Sequence, residues 1–310
     1  MSSHVPDLDA LQILLAVDSA GSMNAAAAMV GITQQAASMR IRAMEAQVGV
    51  ALLARSPQGS RLTSAGLLVA QWAGTVLAAA ERLDAGIASL RNDTAAHLHV
   101  ASSVTVAEHL VPRWLVALRA QQRSFGEPET EVELTAANSD VVMRTVADGD
   151  ADIGFIESPK VAPALHSRVV AQDRLVVVVS PNHPWARRKR PLHAGDLAET
   201  AFVTRESGSG TRQALERALL DSLPGGTVLA PPVMELASAA AVRAAIAAGA
   251  APGAMSDLAV ADDLALGRLV AVPVADLDLT RKLRAVWRDG SQPPAGPARS
   301  LVALAARPIR

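Results

Sequence analysis

The sequence predicts an α+β multidomain protein in which an all-helical region precedes a longer region of alternating strands and helices. Two observations indicate this fold class. Apolar residues recur at helical spacing over about the first 95 residues, and short apolar strands alternate with helices from about residue 97 onward. With 310 residues, 50% of them hydrophobic, the chain can form two or three domains that each bury a core.

The composition excludes several classes of site. The chain contains no cysteine, which excludes a disulfide framework, thiolate metal sites and a cysteine nucleophile. Because no run of about 18 apolar residues occurs and the first residues lack the pattern of a secretory signal, we expect a cytoplasmic protein without a membrane span. A formal net charge of −1 neither indicates nor excludes binding to nucleic acid.

Three helices are predicted near the start of the chain. The first closes at Gly21, and the second, residues 25–30, stops at Gly31. Thr33 occupies the N-cap position of the third helix, residues 34–48. Two short helices joined by a turn that contains glycine are typical of a helix-turn-helix, although an ordinary helical hairpin in a bundle has the same pattern.

A small hairpin and one long helix follow. Short strand-like segments around Pro57 and Gly59 predict a wing. The long helix, residues 63–90, carries apolar residues at alternating spacings of four and three: Val69, Ala73, Val76, Ala80, Leu83, Ile87 and Leu90. This spacing over about three heptads is typical of a coiled-coil seam. A single buried helix would show the same stripe, but the position at a domain boundary favours dimerisation.

The remaining chain alternates between the two kinds of element. The predicted strands are 98–101, 131–135, 152–156, 175–180, 201–204, 228–234, 269–272 and 281–287, and the predicted helices are 107–121, 140–147, 211–220, 238–248 and 300–306. The strand predicted at 175–180 is continuously apolar through residue 179, as a central parallel strand requires. Repeated strand–helix units predict doubly wound sheets, and about 215 residues of them predict two subdomains.

Positive charge is concentrated on the third helix and the wing. No lysine or arginine precedes Arg40, whereas residues 40–61 contain four arginines and one acid. Phosphate contacts need such charges, although a solvated helix face would look the same. The densest basic run, residues 187–190, is interpreted as a solvated loop.

Five segments carry a resemblance to a known family. They read GSMNAA (21–26), GITQQAAS (31–38), IRAME (41–45), GVALLAR (49–55) and RLTSAG (61–66). In this order and at these spacings they resemble the LysR-type transcriptional regulators, and the resemblance extends over nearly the whole chain. Gln35 stands where the family usually has proline, Met39 where a basic residue is frequent and Leu53 where phenylalanine is usual. The first two lie on the reading face, so a preferred DNA sequence is not carried over.

The resemblance implies a domain organisation and a set of partners. It implies a winged helix-turn-helix domain (1–62), a linker and dimerisation helix (63–92) and an effector-binding domain of the periplasmic-binding-protein type (93–310). Within the last, subdomain I comprises about 93–171 and 273–310, and subdomain II about 172–272. The implied partners are double-stranded promoter or operator DNA, a small-molecule effector and further copies of the chain, as a dimer or tetramer. The family has no catalytic activity to carry over.

The start of the third helix and the wing are the expected DNA interface. In a helix-turn-helix the first residues of the second helix of the motif face base edges, where glutamine can bind adenine through two hydrogen bonds. Arginines there and on the wing would hold phosphates. The predicted DNA-binding residues are Thr33, Gln34, Gln35, Ser38, Arg40, Arg55, Arg61 and Thr63.

Hydroxyl residues at strand ends are the expected effector site. Residues 102–105 and 204–212 each follow a strand and enter a helix, which makes an anion cradle because free N–H groups and the helix dipole point at a ligand. A capped turn without a ligand has the same pattern. The resemblance places in one cleft Ser102, Ser103, Thr105, Asn138, Thr204, Ser207, Ser209 and Thr211, with Glu157 near it. Arg205 or Arg212 nearby and the scarcity of aromatics favour a small anion or carboxylate.

The sequence gives little support to catalysis, and it predicts no cofactor and no metal. A nucleophile elbow of the Gly-x-Ser-x-Gly type is absent from the sequence, and His97 and His99 lack a third ligand at metal-binding spacing. Two alternatives to a regulator are a solute-binding protein of periplasmic type and, with less support, an α/β enzyme.

Overall fold

The computed structural model describes residues 5–56, 59–91 and 97–307. The chain divides into two compact units, Met1–Ala88 and Ser89–Arg310. Across the described ranges, no helix combines the length and the hydropathy that a membrane crossing needs.

The first unit contains three short helices, a two-stranded hairpin and one long helix. Its elements are α1 (Leu8–Ala20), α2 (Met23–Val30), α3 (Gln34–Val48), β1 (Leu53–Ser56), β2 (Gly59–Leu62) and α4 (Ser64–Arg91). The N-cap side chains Asp7, Ser22 and Thr33 each accept a hydrogen bond from the backbone N–H three residues later. Gly31 and Gly49 end α2 and α3 at φ values of 77° and 82°, which residues with a side chain rarely adopt.

The core of the first unit joins the three helices to the start of α4. Ile13 and Leu14 of α1 and Met44 of α3 are fully buried, and they pack in one cluster with three residues of α4, which are Ala70, Ala73 and Leu77. Val69 packs against the same cluster. Two members of the predicted seam, Val69 and Ala73, therefore face the core of this unit.

The peptide of Leu52 ties α3, the hairpin and α4 together. Glu45 Oε1 accepts hydrogen bonds from the N–H groups of Leu52 (2.8 Å) and Leu53 (3.0 Å). The carbonyl of Leu52 accepts a 2.9 Å bond from the N–H of Thr63. A Cβ on Gly66 would lie 2.1 Å from this carbonyl oxygen, so only glycine allows the approach.

The second unit is a mixed α/β structure. Its elements are β3 (His97–Ser103), α5 (Val104–His109), α6 (Val111–Phe125), β4 (Glu131–Ala137), α7 (Ser139–Asp148), β5 (Ile153–Ile156), β6 (His166–Val179), a 3₁₀ helix (Pro184–Arg187), α8 (Ala194–Ala198), β7 (Val203–Arg205), α9 (Gly210–Ser222), β8 (Met234–Leu236), α10 (Ala239–Ala247), β9 (Gly253–Ser256), α11 (Asp257–Ala265), β10 (Val270–Val272), β11 (Thr280–Trp287) and α12 (Pro297–Ala305).

One long strand, β6, joins the two halves of the main sheet. The strand order is β10-β6-β11-β5-β3-β4, with β9 also paired to β6. Strand β3 is parallel to β4 and β5, whereas β6 is antiparallel to β9, β10 and β11. Strand β6 pairs with β11 through its first part, residues 166–174, and with β9 and β10 through its last part, residues 175–179.

The prediction of a central parallel strand at residues 175–180 is therefore wrong in direction. These residues are the end of β6, and their antiparallel pairing is equally compatible with burial on both faces. Leu175 and Val177 pack in one hydrophobic cluster and Val178 in another, on opposite sides of the sheet. The continuous apolar run indicates burial on both faces of the sheet, but it does not indicate the direction of the strand.

Further elements differ from the prediction. The single helix predicted at 107–121 is divided at Leu110 into α5 and α6, because Pro112 lacks the N–H that would continue the first helix. The strand predicted at 228–234 is reduced to β8, residues 234–236. Strand β9 and helix α11 were not predicted from the sequence.

Candidate functional site

Helix α3 presents its first residues to solvent. Gln34 and Gln35 are exposed, and within the described ranges their side chains form no hydrogen bond. Ser38 is half-buried, and Met39 is 64% exposed on the same side of the helix. The opposite side is buried through Ala37 and Met44. The predicted reading residues thus share one free face, which is suited to base edges.

The predicted phosphate-binding arginines differ in their surroundings. Arg40 Nη1 lies 2.7 Å from Asp9 Oδ2, and both side chains are largely exposed. Arg61 is exposed on β2, opposite Ala54 of β1. The side chain of Arg55 lies outside the described residues. Since an exposed ion pair contributes about 0–1 kcal/mol, Asp9 does not prevent Arg40 from turning to a phosphate.

The two threonines predicted to bind DNA mainly stabilise the fold. The hydroxyl of Thr33 caps α3 by accepting a 3.2 Å bond from the N–H of Ala36, which leaves its proton free. The hydroxyl of Thr63 accepts from the N–H of Gly66 (3.0 Å) and donates to the carbonyl of Ala51 (2.8 Å). Thr63 therefore uses its proton within the unit.

An apolar stripe runs along the outer face of α4. Leu68, Trp72, Val76 and Leu83 are 53%, 62%, 40% and 66% exposed, at successive spacings of four, four and seven residues. We call these four residues the linker stripe. The side chains at the last two positions of the predicted seam, residues 87 and 90, lie outside the described residues.

In the second unit, several predicted hydroxyls are buried without a partner. The Oγ atoms of Ser103 and Ser209 and the Oγ1 atom of Thr204 have no hydrogen bond within the described part of the chain. Ser103 and Ser209 are the N-cap residues of α5 and α9, yet neither side chain caps its helix in that part. Ser102 is buried at the end of β3, and Thr105 is buried in the first turn of α5.

The loop before α9 lies against the ends of β4 and β5. The carbonyl of Gly208 accepts a 3.3 Å bond from the N–H of Asp140, and a Cβ on Gly208 would lie 3.2 Å from Asn138 Oδ1. A Cβ on Gly210 would lie 2.5 Å from Glu157 Cγ and 2.6 Å from Ser139 Oγ. The fold thus brings Asn138 and the glycines of this loop together, whereas Ser207 is exposed and its N–H donates to Glu235 Oε1 at 3.2 Å.

A buried ionic network adjoins this contact. Arg281 Nη1 donates to Thr211 Oγ1 (3.0 Å), which in turn donates to Glu157 Oε1 (2.9 Å). Arg281 also lies 3.3 Å from Glu157 Oε2 and donates through Nε to Asp173 Oδ2 at 2.8 Å. Ser256 Oγ donates to the other oxygen of Asp173 at 2.9 Å. Sequence reasoning missed Arg281 and Asp173, because both strands carry further charged residues, such as Lys282 and Arg174, and no local pattern distinguishes the buried ones.

The two arginines expected to attract an anion are already paired. Arg205 is buried and donates two bonds to the carboxylate of Glu206, at 2.7 and 2.9 Å. Arg212 donates to Glu216 at 2.7 Å and also to Glu235. The hydrogen bond from Arg212 lowers the pKa of the Glu235 carboxyl, so this pair is ionised. Positive potential for a ligand must therefore come mainly from helix N-termini.

Thr204 belongs to a separate cavity. This cavity of about 40 Å³ is lined by residues of α8, β7, α9 and segment 229–232, and it includes Phe202 and Leu215. The other predicted effector residues do not line it. The residue alternation along β7 directs Thr204 toward α9, which the sequence pattern did not reveal.

Both units match models of one bacterial family. Residues 8–67 match the model described as bacterial regulatory helix-turn-helix protein, lysR family, and residues 91–307 match the LysR substrate binding domain. An uncharacterized HTH-type transcriptional regulator of Mycobacterium tuberculosis is 51% identical over 302 residues, which are 97% of each chain.

Solved structures show the same fold. A variant of OxyR from Corynebacterium glutamicum aligns with a TM-score of 0.57 at 19% identity, covering 97% of this chain and 91% of that one. The regulatory domain of CcmR from Synechocystis, solved in complex with 2-PG, aligns with a TM-score of 0.57 at 24% identity, covering 68% of this chain and 96% of its own.

These similarities confirm the predicted fold class and decide between the three classes of protein. The helix-turn-helix unit is not part of a solute-binding protein, and the matched domains and relatives are those of regulators and not of enzymes. The chain belongs to the LysR family of transcriptional regulators, whose members bind DNA and small-molecule effectors.

Proposed function

We propose that this regulator works in the cytoplasm as a homo-oligomer that binds operator DNA through α3 and the wing and responds to a small anionic effector. The observation that carries the effector proposal is the N-terminus of α9. The N–H groups of Gly210 and Thr211 and the hydroxyl of Ser209 are buried, and none donates a hydrogen bond within the described residues.

The DNA proposal rests on which side chains are free. Gln34, Gln35 and Ser38 lie at the start of α3, where base edges are read in a helix-turn-helix. Their exposure without competing contacts leaves their donors and acceptors available. Arg61 on the wing and Arg40 on α3 are exposed cations that suit phosphate oxygens.

The oligomer proposal rests on the linker stripe. Four large apolar side chains lie on one face of α4 and are 40–66% exposed in the single chain. An exposed face of this kind on a long helix is stabilised by packing against the same face of a second copy. The pairing would present two α3 helices to DNA, with half-sites about 10 base pairs apart or a multiple of that spacing.

The effector proposal follows from buried hydrogen-bond donors at the start of α9 that have no acceptor within the described residues. The free N–H groups at the start of a helix carry a partial positive charge, and buried donors without acceptors cost free energy that a bound anion would recover. The unpaired hydroxyl of Ser103 adds a donor at a neighbouring strand end. The complex of the CcmR domain with 2-PG is consistent with a small ligand in this fold.

The direct test is the double substitution Ser103→Ala with Ser209→Ala. Both hydroxyls are unpaired, so their removal leaves the hydrogen bonds of the fold intact. Calorimetry with small carboxylates and inorganic oxyanions is expected to show at least a tenfold loss of affinity, while DNA affinity stays unchanged. Ser222→Ala, at the opposite end of α9, is the matched control. Tight binding of a neutral apolar compound, insensitive to the double substitution, would contradict an anionic effector.

A further inference from the structure

Glu157 places a carboxylate of the protein itself at the start of α9. The residue follows β5 and is 2% exposed. Its Oε1 accepts a 2.9 Å bond from Thr211, the second residue of α9, and a Cβ on the first residue, Gly210, would lie only 2.5 Å from its Cγ. A carboxylate in this position interacts favourably with the positive end of the helix dipole.

The charges around Glu157 disfavour the binding of a second anion. Arg281 is the single cation of the buried network, and it is shared between Glu157 and Asp173. Two carboxylates against one guanidinium already give this network a net negative charge. An anion that approached the start of α9 with Glu157 still in place would therefore be repelled at close range, in surroundings where water screens little.

We propose that Glu157 is the selectivity residue of the effector site, because its carboxylate holds the N-terminus of α9 until an effector replaces it. This inference rests on the proposed anionic effector. Displacement breaks the hydrogen bond from the hydroxyl of Thr211 and leaves the carboxylate of Glu157 to Arg281 alone, while the effector binds the N–H groups of Gly210 and Thr211, for which no acceptor occurs within the described residues. Its Oε2, which has no hydrogen bond within the described residues, already lies 3.3 Å from that guanidinium.

Competition with a tethered carboxylate restricts the class of effector. A tethered group acts at a high effective concentration, so a free monocarboxylate that makes the same contacts does not displace it at ordinary concentrations. A group with more acceptor oxygens can bind the N–H groups and the hydroxyl of Ser209 together. The site is therefore selective for a phosphate-like or multiply charged oxyanion over a simple monocarboxylate.

The test compares inorganic phosphate and acetate as calorimetric probes of the full chain. In Glu157→Gln the competing charge is removed, and we expect phosphate to bind at least tenfold more tightly and acetate to bind measurably, unlike in the wild type. Glu216→Gln is the matched control, because it removes a charge from α9 at its contact with Arg212 and leaves the start of the helix unchanged. The control is expected to behave as the wild type.

A second variant keeps the test decisive if Glu157→Gln does not fold. Glu157→Asp retains the charge next to Arg281 but withdraws it by one methylene group from Thr211, so a smaller gain in phosphate affinity is expected. Phosphate binding to the wild type with no gain in either variant would overturn the selectivity role and leave the anionic effector standing. Absence of anion binding in all variants, with a neutral compound bound, would overturn both.

Discussion

The two units keep their functional side chains in opposite surroundings. In the first unit, Gln34, Gln35 and Arg61 are exposed and make no contact that the fold requires. In the second, Thr211 and Glu157 are buried in an ionic network. A substitution on the DNA face can therefore change recognition alone, whereas one in the effector site changes stability as well, unless the atom removed has no partner.

The largest effect is expected at the linker stripe, whose exposed side chains would be buried in the proposed oligomer. Trp72→Glu places a charge in the centre of the stripe and should abolish dimers in light scattering. Loss of the second DNA-binding unit should weaken operator binding by about 10²–10⁴-fold. Gln71→Glu puts the same charge one residue away and should leave the dimer intact. An undiminished dimer in Trp72→Glu would show that the copies associate elsewhere.

On the DNA face, recognition should change without a change in stability. Gln34→Ala should reduce discrimination between operator base pairs by about 1–3 kcal/mol, measured as binding to a set of single-base operator variants. The melting temperature should stay at the wild-type value, because the side chain has no partner among the described residues. A lowered melting temperature with unchanged base preference would show that Gln34 stabilises the fold and does not read bases.

Substitution of Glu45, in the same unit, should change stability, because its carboxylate accepts hydrogen bonds that hold the fold. Glu45→Ala leaves the N–H groups of Leu52 and Leu53 without their acceptor. We expect the free energy of unfolding to fall by about 1–3 kcal/mol in a denaturant titration. Glu45→Gln keeps an acceptor oxygen and should lose less. Equal stability of all three proteins would mean that other contacts hold the wing.

A smaller change in stability, which depends on pH, is expected at Asp257 beside the buried ionic network. Burial raises the pKa of the Asp257 carboxyl, and the neighbouring Asp173 raises it further. A raised pKa means that the folded state holds the proton more tightly, so stability falls as pH rises through the raised pKa. Asp257→Asn should therefore increase the melting temperature near pH 7. Below the ordinary pKa of the carboxyl, about 3.9, the difference should vanish. A difference in melting temperature that is the same at all pH values would show that titration of Asp257 is not its cause.

The sequence predicted the first unit more closely than the second, because its helix ends are encoded locally. Thr33 and Gly49 sit at the two ends of α3, and the helix spans the predicted residues 34–48. Capping hydroxyls and glycines act on neighbouring backbone, so a short window is enough to read them. Two positions of the seam predicted on α4 pack in the core of the unit, which the sequence did not show because small residues such as Ala73 suit a core and a dimer face equally well.

The effector site depends on contacts that no local window contains. Glu157 meets Thr211 and Arg281 from segments 54 and 124 residues away in sequence. The pattern of strand ends pointed to the loops before α7 and α9, which do lie together, but it did not show that Arg205 and Arg212 are paired with carboxylates. Charge compensation is decided by side-chain packing, which is why the predicted source of positive potential had to be replaced.

The connection through the Leu52 peptide makes α4 a lever arm for the reading helix. Glu45 and Gly66 hold α3, the wing and the start of α4 so closely that they turn as one block. A helix of 28 residues at 1.5 Å per residue is about 42 Å long. A change of about 5° in its direction then displaces α3 by roughly 4 Å, close to the rise of about 3.4 Å between base pairs. A rotation of that size about the far end of α4 would therefore move the proposed reading helix by about one base-pair step.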